Sequence, residues 1–354
     1  MPEEASVKAT ETASPKKSAQ AHEPRTLVAV DDGYAQMKIA FGDPDKDEPP
    51  KLSSVRSSAS YGSLGSLSGG AVGAYETDGG KTTMTVSDEI RGEATNFDGF
   101  HTSSLNRILM AHSLITVGLG GKKVDLWAAL PVKDFFLSQS ELNKELIDKK
   151  KSNLLEPVIP LVHGVQCAEY GTVNIGCQAV SAIIDYAIAD DLSERHENMD
   201  RIAVVDIGGR TTDIAYVIGG SRLDNDRSDT QNIGVLEVQN KLDALICERF
   251  RLKGSQFSPK VLDDALRSGK IKVYGKQEDI TDLIERATPE PSARLATMIR
   301  QKIGDGAELD AILFVGGGAR LFSAAADGFR NAIIPEDPEF SNARGLYKYA
   351  RMSA

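Results

Sequence analysis

The sequence feature that most constrains this chain is a repeated turn, in which an apolar run ends in aspartate and is followed by glycine and a second apolar run. One copy lies at 28–41 and the other at 204–217 of the 354 residues. In a shared register Asp31 corresponds to Asp206, Gly33 to Gly208, and Lys38 to Asp213. Because one hairpin occurs twice, we expect two related half-domains.

The residue types in this turn suit a phosphate group. Glycine permits positive φ and a close approach of the backbone to a ligand, and successive amide N–H groups in such a turn form an anion-binding nest. In the second copy, Thr211 and Thr212 add hydroxyl donors. Two facing copies would grip one polyphosphate from both sides. Asp31 and Asp206 would then hold a hydrated cation between them, since Mg²⁺ keeps several of its waters when proteins bind it.

A third element lies at 312–322, where an apolar strand runs into Gly316, Gly317 and Gly318 and then into a predicted helix. Glycines in this place let a flat ring lie against bare backbone. The three elements together therefore predict a site for a nucleotide.

Two Asp-Gly hairpins followed by strand, three glycines and helix resemble the phosphate-1, phosphate-2 and adenosine motifs of the actin, Hsp70 and sugar kinase superfamily. The three motifs are most similar to those of the bacterial actin-like plasmid segregation proteins of the ParM/StbA family. They read Asp-Asp-Gly…Lys, Asp-Ile-Gly-Gly-x-Thr-Thr-Asp and Val-Gly-Gly-Gly-Ala. The resemblance covers about 26–350. It implies an α/β, actin-like ATPase fold with two related RNase H-like domains around a nucleotide cleft.

The resemblance also implies the site residues and their ligands. Catalytic roles fall on Glu169 and Asp206, and Asp31 and Asp206 would hold Mg²⁺ through water. The cofactors are expected to be ATP or GTP with Mg²⁺. The expected nucleotide-binding residues are Asp31, Asp32, Gly33, Lys38, Gly208, Gly209, Thr211, Thr212, Lys241, Gly316, Gly317 and Gly318.

Glu169 is assigned from its place in the chain. The apolar run at 161–169 is interpreted as a short strand that ends in a carboxylate, and a helix is predicted from Thr172 to about Ala189. In the resembled family an acidic residue in this place positions the attacking water. Without that resemblance, a glutamate at a strand end is more often a surface or capping residue.

Two further positions are interpreted through the resemblance. The helix predicted at 234–251 lies beside the adenine pocket in relatives, where Lys241 or Glu237 would contact base or ribose; two ordinary exposed charges are the other interpretation. Tyr34 departs from relatives, many of which carry Ser or Thr there. We therefore expect the first turn to bind phosphate through its backbone.

The domain limits follow from the same motifs. Residues 1–25 are polar and are expected to form a disordered tail. The first domain is expected at 26–200, with a small subdomain at about 51–100, and is completed by a helix at 338–354. The second domain is expected at 201–337.

Composition narrows the functional classes. The formal net charge of −10 argues against direct binding of nucleic acid, because contact with DNA phosphates calls for a basic face. Neither a signal peptide nor an apolar stretch long enough to span a membrane is found. Three cysteines without Cys-x-x-Cys spacing disfavour a disulfide framework and fit a reducing cytoplasm.

The resemblance implies an actin-like ATPase that assembles head to tail into nucleotide-dependent dynamic filaments. Such a filament would move or segregate plasmid DNA through a DNA-binding adaptor protein at a plasmid centromere. Two alternatives stay open on the same fold: a small-molecule phosphotransferase of the sugar or acetate kinase type, and an ATP-switch protein that does not polymerise.

Overall fold

The computed structural model describes residues 26–62, 73–88, 92–93, 95, 97–137, 141–196, 199–220, 222–254 and 257–353. The tail expected at 1–25 lies outside the described residues, as does part of the small subdomain expected at 51–100. Within the described ranges, no helix combines the length and the apolar character needed to cross a membrane.

The strands and helices follow in chain order. The strands are Thr26–Asp32 (β1), Gln36–Gly42 (β2), Lys51–Arg56 (β3), Ala59–Tyr61 (β4), Ala74–Thr77 (β5), Thr82–Val86 (β6), Lys123–Leu130 (β7), Val158–Pro160 (β8), Glu169–Cys177 (β9), Arg201–Ile207 (β10), Thr212–Ile218 (β11), Arg222–Gln231 (β12), Lys270–Val273 (β13), Lys276–Asp279 (β14), Ala311–Val315 (β15) and Ala332–Ile333 (β16). The α-helices are Ser104–Thr116 (α1), Val132–Phe135 (α2), Lys144–Leu155 (α3), Val180–Ala187 (α4), Val235–Phe250 (α5), Pro259–Ser268 (α6), Thr281–Ala287 (α7), Pro289–Ile303 (α8), Ser323–Ala326 (α9) and Ser341–Met352 (α10).

Two five-stranded sheets share one topology. Their strand orders are β3-β2-β1-β7-β9 and β12-β11-β10-β15-β16. In each sheet the repeated hairpin is antiparallel, with Asp31 opposite Lys38 in one and Asp206 opposite Asp213 in the other. The next strand, β7 or β15, is parallel to the first. The two related half-domains expected from the repeat are therefore confirmed, while the residue limits of the domains stay a prediction.

The first strand of each hairpin is buried on both faces, which explains its unbroken apolar run. Successive side chains of a strand point to opposite faces. In β1, Val28 and Val30 pack with helices α1 and α3, whereas Leu27 and Ala29 pack with α10. The same alternation in β10 directs its side chains alternately toward the α5–α8 core and toward α4.

Helices α4 and α10 cross between the half-domains. Helix α4 packs Ala182 and Ile183 on the second sheet, although it follows β9 of the first. Helix α10 packs Leu346 and Tyr347 on the first sheet, although it follows the second. The two helices also pack on each other at Gly345, where an added Cβ would overlap the carbonyl oxygen of Ser181.

Charged side chains fix the same contact between α4 and α10. Arg344 donates two hydrogen bonds to the carboxylate of Asp185, from Nε at 2.7 Å and from an η nitrogen at 2.6 Å. Lys348 donates to the same carboxylate at 2.9 Å. A bidentate arginine pair of this kind sets both distance and orientation. The crossing of the two helices is therefore held by backbone contact and by paired charge.

A smaller four-stranded sheet, β4-β6-β5-β8, accompanies the first half-domain. It packs against α1, whose first turn is capped by Ser103: the Ser103 hydroxyl accepts a hydrogen bond from the Asn106 amide at 3.2 Å. Arg107 of α1 donates to Asp78 and to the Thr77 hydroxyl, so that a buried guanidinium ties this sheet to the helix.

Candidate nucleotide cleft

The turns of the two repeated hairpins face each other across a cavity of about 510 Å³. An added Cβ on Gly209 would lie 2.6 Å from the Cβ of Ala35, so the two turns meet at this point. The hairpin residues that line the cavity are Asp31, Gly33, Tyr34, Ala35, Gln36, Lys38, Asp206, Gly208, Gly209, Arg210, Thr211 and Asp213. The structure thus brings both acidic turns to one cleft, as the sequence predicts.

Lys38 places a buried ammonium in this cleft. Its Nζ lies 3.1 Å from Oδ2 of Asp31, and both side chains are nearly inaccessible to solvent. Burial alone lowers the pKa of Lys38, but the carboxylates of Asp31 and Asp206 outweigh it and the pKa is raised. The side chain is therefore a fixed positive charge.

Asp206 faces Asp31 from the second hairpin. Its Oδ2 accepts a hydrogen bond from the Asn342 amide of α10 at 2.7 Å. Burial raises the pKa of Asp206 to about 6; Lys38 opposes the shift, and the nearby Asp31 and Asp213 carboxylates add to it. Several carboxylates with one ammonium leave a local excess of negative charge, which a divalent cation would neutralise.

The donor set of the cleft fits a cation held through water. Among the described residues, no group of three or more His, Cys, Asp or Glu side chains is placed to ligate a metal directly. Asp31 and Asp206 nevertheless share the cleft with the glycine turns. Mg²⁺ bound through one or two carboxylates, its own waters and substrate phosphates matches this arrangement.

Asp32 does not reach the cleft, and its predicted contact with nucleotide is wrong. It follows Asp31 in a strand, so its side chain points to the opposite face, into the core. Its oxygens accept hydrogen bonds from Lys150 at 2.7 and 2.8 Å and from Asn106 at 2.7 Å. Burial raises the pKa of Asp32, but Lys150 and His101 outweigh burial and lower it to about 2. Asp32 is a buried anchor beneath the first turn.

Thr211 and Thr212 have different roles. Thr211 lines the cavity, whereas Thr212 is fully buried and its hydroxyl donates to the carbonyl of Ile233 at 2.7 Å. The predicted phosphate contact of Thr212 is therefore wrong. Its hydroxyl hydrogen already makes a hydrogen bond that joins the second hairpin to the segment leading into α5.

The three glycines after β15 also divide by position. Gly317 lines the cavity and has open space where a Cβ would stand. Gly316, at φ +85°, and Gly318 lie against Asp206 and Ile207 of β10, where an added Cβ would overlap neighbouring atoms. Gly317 is thus the one of the three that faces the cavity, while the other two let this loop approach β10.

Lys241 does not line the cavity, and its predicted contact with nucleotide is wrong. It pairs with Glu290 on the surface, and Glu237 of the same helix pairs with Arg294. The α5 residue that lines the cavity is Val235. The remaining lining on this side comes from residues that sequence reasoning missed: Asp263, Leu266, Arg267, Arg320 and Leu321.

Glu169 lies at the wrong end of its strand for a catalytic role. Residues 169–177 form strand β9, so the helix predicted from Thr172 begins only at Val180, as α4. In the strand register Glu169 lies opposite Lys123, at the start of β7. At about 3.3 Å per residue, the eight residues to Cys177 place Glu169 roughly 26 Å from the end of β9 that faces the cleft. The water-orienting position predicted for Glu169 is therefore wrong.

Gln178 lies where Glu169 was expected. It follows directly after β9, lines the cavity, and donates from Nε2 to Oδ1 of Asp31 at 2.7 Å. Its amide oxygen remains an acceptor. The sequence contains the signal that was overlooked, because Ile175, Gly176 and Cys177 form an apolar run that ends in a polar side chain.

Comparison with protein families agrees with this geometry. Residues 26–184 match the family model of the N-terminal part of the plasmid segregation protein ParM (StbA). Residues 204–327 match that of the C-terminal part of the archaeal actin homologue MreB-like proteins. No curated protein matches the chain.

Solved structures of archaeal and bacterial proteins have the same fold, among them the following three. Ta0583, an archaeal actin homologue, is 21% identical with a TM-score of 0.70, covering 93% of this chain and 100% of its own. A 15-stranded ParM filament from Clostridium botulinum is 19% identical with a TM-score of 0.68, covering 93% and 100%. Bacillus thuringiensis ParM with ATP is 13% identical with a TM-score of 0.65, covering 94% and 99%.

The two family models together extend over both half-domains and both acidic turns. The solved structures are similar along nearly the whole chain. The first half-domain is similar to the ParM/StbA family and the second to archaeal MreB-like actin homologues, and the chain as a whole has the actin-like ATPase fold.

Proposed function

We propose that the chain hydrolyses ATP in this cleft and assembles head to tail into nucleotide-dependent filaments. The observation that carries the proposal is the convergence of Asp31, Lys38 and Asp206 with both glycine turns in one cavity. A polyphosphate with a divalent cation fits that combination of amide donors, one ammonium and two carboxylates.

The residues of the cleft supply the requirements of phosphoryl transfer, which are positioning and charge neutralisation. Backbone amides at Gly33 and Gly209 would cradle the phosphates, and Lys38 would neutralise their oxygens. The Gly208 amide donates to the Thr211 carbonyl at 2.8 Å and shapes the second turn. Asp31 and Asp206 would hold Mg²⁺ through its waters. The ion would draw negative charge from the phosphoryl oxygens.

Gln178 takes the water-orienting role in this proposal. Its amide group is fixed by the hydrogen bond to Asp31, so its carbonyl oxygen is the free acceptor at the end of β9. A water bound there would attack the γ-phosphorus as the bond to the β-phosphate oxygen breaks. ADP and phosphate are the products.

Charged contacts across the mouth of the cleft favour coupling of nucleotide to domain closure. Arg56 of β3 pairs with Asp263 of α6, and Lys260 of α6 pairs with Asp88 at 2.9 Å. These pairs join the first half-domain to the second. Nucleotide bound between the halves would strengthen closure, and hydrolysis would weaken it.

A head-to-tail contact is heterologous and generates an open filament. Clostridium botulinum ParM was solved as a filament, which supports self-assembly here. The net charge of −10 favours a DNA-binding adaptor at a plasmid centromere over direct contact with DNA. Movement or segregation of plasmid DNA is the cellular role that fits these properties.

Light scattering and negative-stain electron microscopy with Mg²⁺ and ATP test the proposal. We expect ATP-dependent filaments and phosphate release. We expect Asp206→Ala to lose both, because the waters of the cation lose one of their two carboxylate acceptors. GTP in place of ATP tests the choice of base. ADP release that needs an added small-molecule acceptor, without filaments, would support the phosphotransferase alternative instead.

A further inference from the structure

A path of hydrogen bonds joins the two carboxylates of the cleft. On one side, Gln178 donates from Nε2 to Oδ1 of Asp31 at 2.7 Å. On the other, Asn342 donates from Nδ2 to Oδ2 of Asp206 at 2.7 Å. The backbone amide of Ala179, the residue after Gln178, donates to Oδ1 of Asn342 at 3.0 Å and closes the path. Because Asp31 and Asp206 belong to different half-domains, this path connects the halves.

The path passes through a strained turn at Ala179, where β9 ends and α4 begins. Ala179 is buried, and its φ of +60° with ψ of −52° is a conformation that L residues rarely adopt. The Val180 amide donates to the Gln178 carbonyl at 2.6 Å, which makes a three-residue γ-turn centred on Ala179. A γ-turn with positive φ is strained, and strained backbone persists only where its surroundings hold it. The hydrogen bond from Ala179 to Asn342 is one of the contacts that hold it.

Asn342 acts on the cleft from outside it. The side chain is 2% exposed and is not among the described residues that line the cavity. A backbone N–H can only donate, so the oxygen of the Asn342 amide faces Ala179 and its nitrogen is left for Asp206. Both ends of the amide group are therefore engaged, and any effect of Asn342 on a ligand passes through Asp206.

Both helices that cross between the half-domains begin at this path. Ala179 directly precedes α4, and Asn342 is the second residue of α10. We propose that Asn342 is a positioning residue that ties Asp206 to the strained turn at Ala179, so that the junction of α4 and α10 sets the separation of the two cleft carboxylates. This inference rests on the proposed function, in which Asp31 and Asp206 hold Mg²⁺ through its waters.

The separation of the carboxylates matters because they would share one hydrated ion. Groups that orient the ligands of a metal without touching it typically contribute about 10- to 100-fold to metal affinity or activity. Without Asn342, the Asp206 carboxylate loses the amide that orients it and the turn at Ala179 loses one of its restraints. Binding that depends on Mg²⁺ should then weaken more than binding of the nucleotide alone.

Asparagine variants test this role by binding, without turnover. Asn342→Leu removes both hydrogen bonds at similar side-chain size. Asn331→Leu is the matched control, because Asn331 is a half-buried asparagine of the second half-domain that does not line the cavity and donates to the carbonyls of Gly306 and Leu309. Affinity for a non-hydrolysable fluorescent ATP analogue is measured for each protein with Mg²⁺ and with EDTA.

We expect Asn342→Leu to weaken binding of the analogue about tenfold with Mg²⁺ and less than about threefold in EDTA, since the cation site is what loses its support. Asn331→Leu should bind as wild type in both conditions. If the leucine variant does not fold, Asn342→Ser decides the matter by the same comparison, because its single hydroxyl is shorter and replaces both ends of the amide.

The strained turn has a test of its own on the chain without nucleotide. Glycine adopts positive φ without a Cβ penalty, so Ala179→Gly should raise the melting temperature. In the Asn342→Ser background the turn is free to relax, and the gain from Ala179→Gly should be smaller, as a double-mutant cycle measures. Arg251→Gly is the control: Arg251 has φ of +54° at the end of α5, and its effect should be the same in both backgrounds.

Two outcomes would overturn the inference and leave the ATPase proposal intact. Equal loss of affinity with Mg²⁺ and in EDTA would show that Asn342 supports the cleft as a whole. Additive effects of Ala179→Gly and Asn342→Ser would show that the turn does not depend on Asn342. A wild-type chain that binds the analogue equally well with Mg²⁺ and in EDTA would remove the proposed cation site and this role together.

Discussion

Lys150 and Asp32 form an ion pair that is fully buried beneath the first phosphate turn. Lys150→Met leaves the Asp32 carboxylate without its charge partner, so we expect the free energy of unfolding to fall by about 3–5 kcal/mol. Urea unfolding followed by circular dichroism measures the change. Adding Asp32→Asn should recover much of the loss, because the uncompensated charge is removed.

Lys149→Met provides the control for that measurement. Lys149 is the preceding residue of α3 and is exposed. Its replacement should stay within about 0.5 kcal/mol of wild type, as surface substitutions usually do. Equal effects of the two lysine variants would mean that the buried pair contributes nothing particular to stability.

Substitutions of Gln178 and Glu169 are expected to affect ATP turnover differently. Gln178→Ala removes an acceptor at the cleft and a donor to Asp31, and we expect steady-state ATP turnover to fall by about 10- to 100-fold. Glu169→Ala, at the far end of the same strand, should leave turnover unchanged. Phosphate-release assays on both variants decide which of the two residues orients the attacking water. Slow phosphate release by Glu169→Ala would support Glu169, as the sequence predicts.

His112 makes stability depend on pH. Burial lowers the pKa of His112, although Asp88 opposes the shift. The unfolded chain therefore takes up this proton at a higher pH than the folded chain does. The free energy of unfolding should fall as pH drops below about 6.5, by at most about 1.4 kcal/mol per pH unit from this group. Urea unfolding between pH 5 and 8 should show a shallower slope for His112→Gln, and an equal slope would refute the assignment.

At the scale of elements, sequence reasoning succeeded where local chemistry and pattern agree. The repeated hairpins carry an apolar run, a turn with glycine and a second run, and they form β1–β2 and β10–β11 as predicted. Helix α1 carries local signals of the same kind, a capping serine and a 3.6-residue period of apolar side chains. These signals are contained within a dozen residues, so no tertiary information was needed.

The failure at β9 has a physical cause. Strand β9 lies at the edge of its sheet, and only its last three residues are buried. Most of the strand therefore lacks an apolar pattern, and an apolar run of three residues does not separate strand from helix. Gly176 in β9 lies against Leu346 of α10, a contact that forms only in the folded chain. Misplacing this strand shifted the expected catalytic residue from Gln178 to Glu169. Likewise, the burial of Asp32 and Thr212 depended on distant partners.

The contact between α4 and α10 depends on one glycine. Gly345→Ala places a Cβ where the Ser181 carbonyl oxygen lies, so the helices must separate. We expect a loss of about 1–3 kcal/mol in stability from overpacking, although alanine favours helix over glycine by about 1 kcal/mol. Met352→Ala on an exposed turn of the same helix is the control and should be close to neutral. A Gly345→Ala variant with raised melting temperature would contradict the close contact.

At the scale of the whole molecule, two ion pairs close the mouth of the cleft. Arg56→Asp sets two carboxylates against each other at the contact with Asp263. We expect bound nucleotide to dissociate about fivefold faster, which corresponds to roughly 1 kcal/mol. Stopped-flow release of a fluorescent ATP analogue measures the rate. The exchanged pair, Arg56→Asp with Asp263→Arg, should return toward wild type.

Arg249→Asp is the matched control for the mouth of the cleft. Arg249 pairs with Asp282, and both residues belong to the second half-domain. Its replacement should leave nucleotide release unchanged, because no contact between the halves is lost. If both arginine variants release nucleotide at the same faster rate, the effect reflects general destabilisation and the mouth contacts do not control opening.

The two crossing helices make the halves of this chain mutually dependent. A gene divided near residue 200 would yield two fragments. The first would contain α4, which packs on the second sheet, and the second would contain α10, which packs on the first sheet. Each fragment alone would expose a bare sheet face to water. We expect the two fragments to associate when they are co-expressed. The exchange of α4 and α10 between the half-domains would therefore suit this fold to a split-protein reporter.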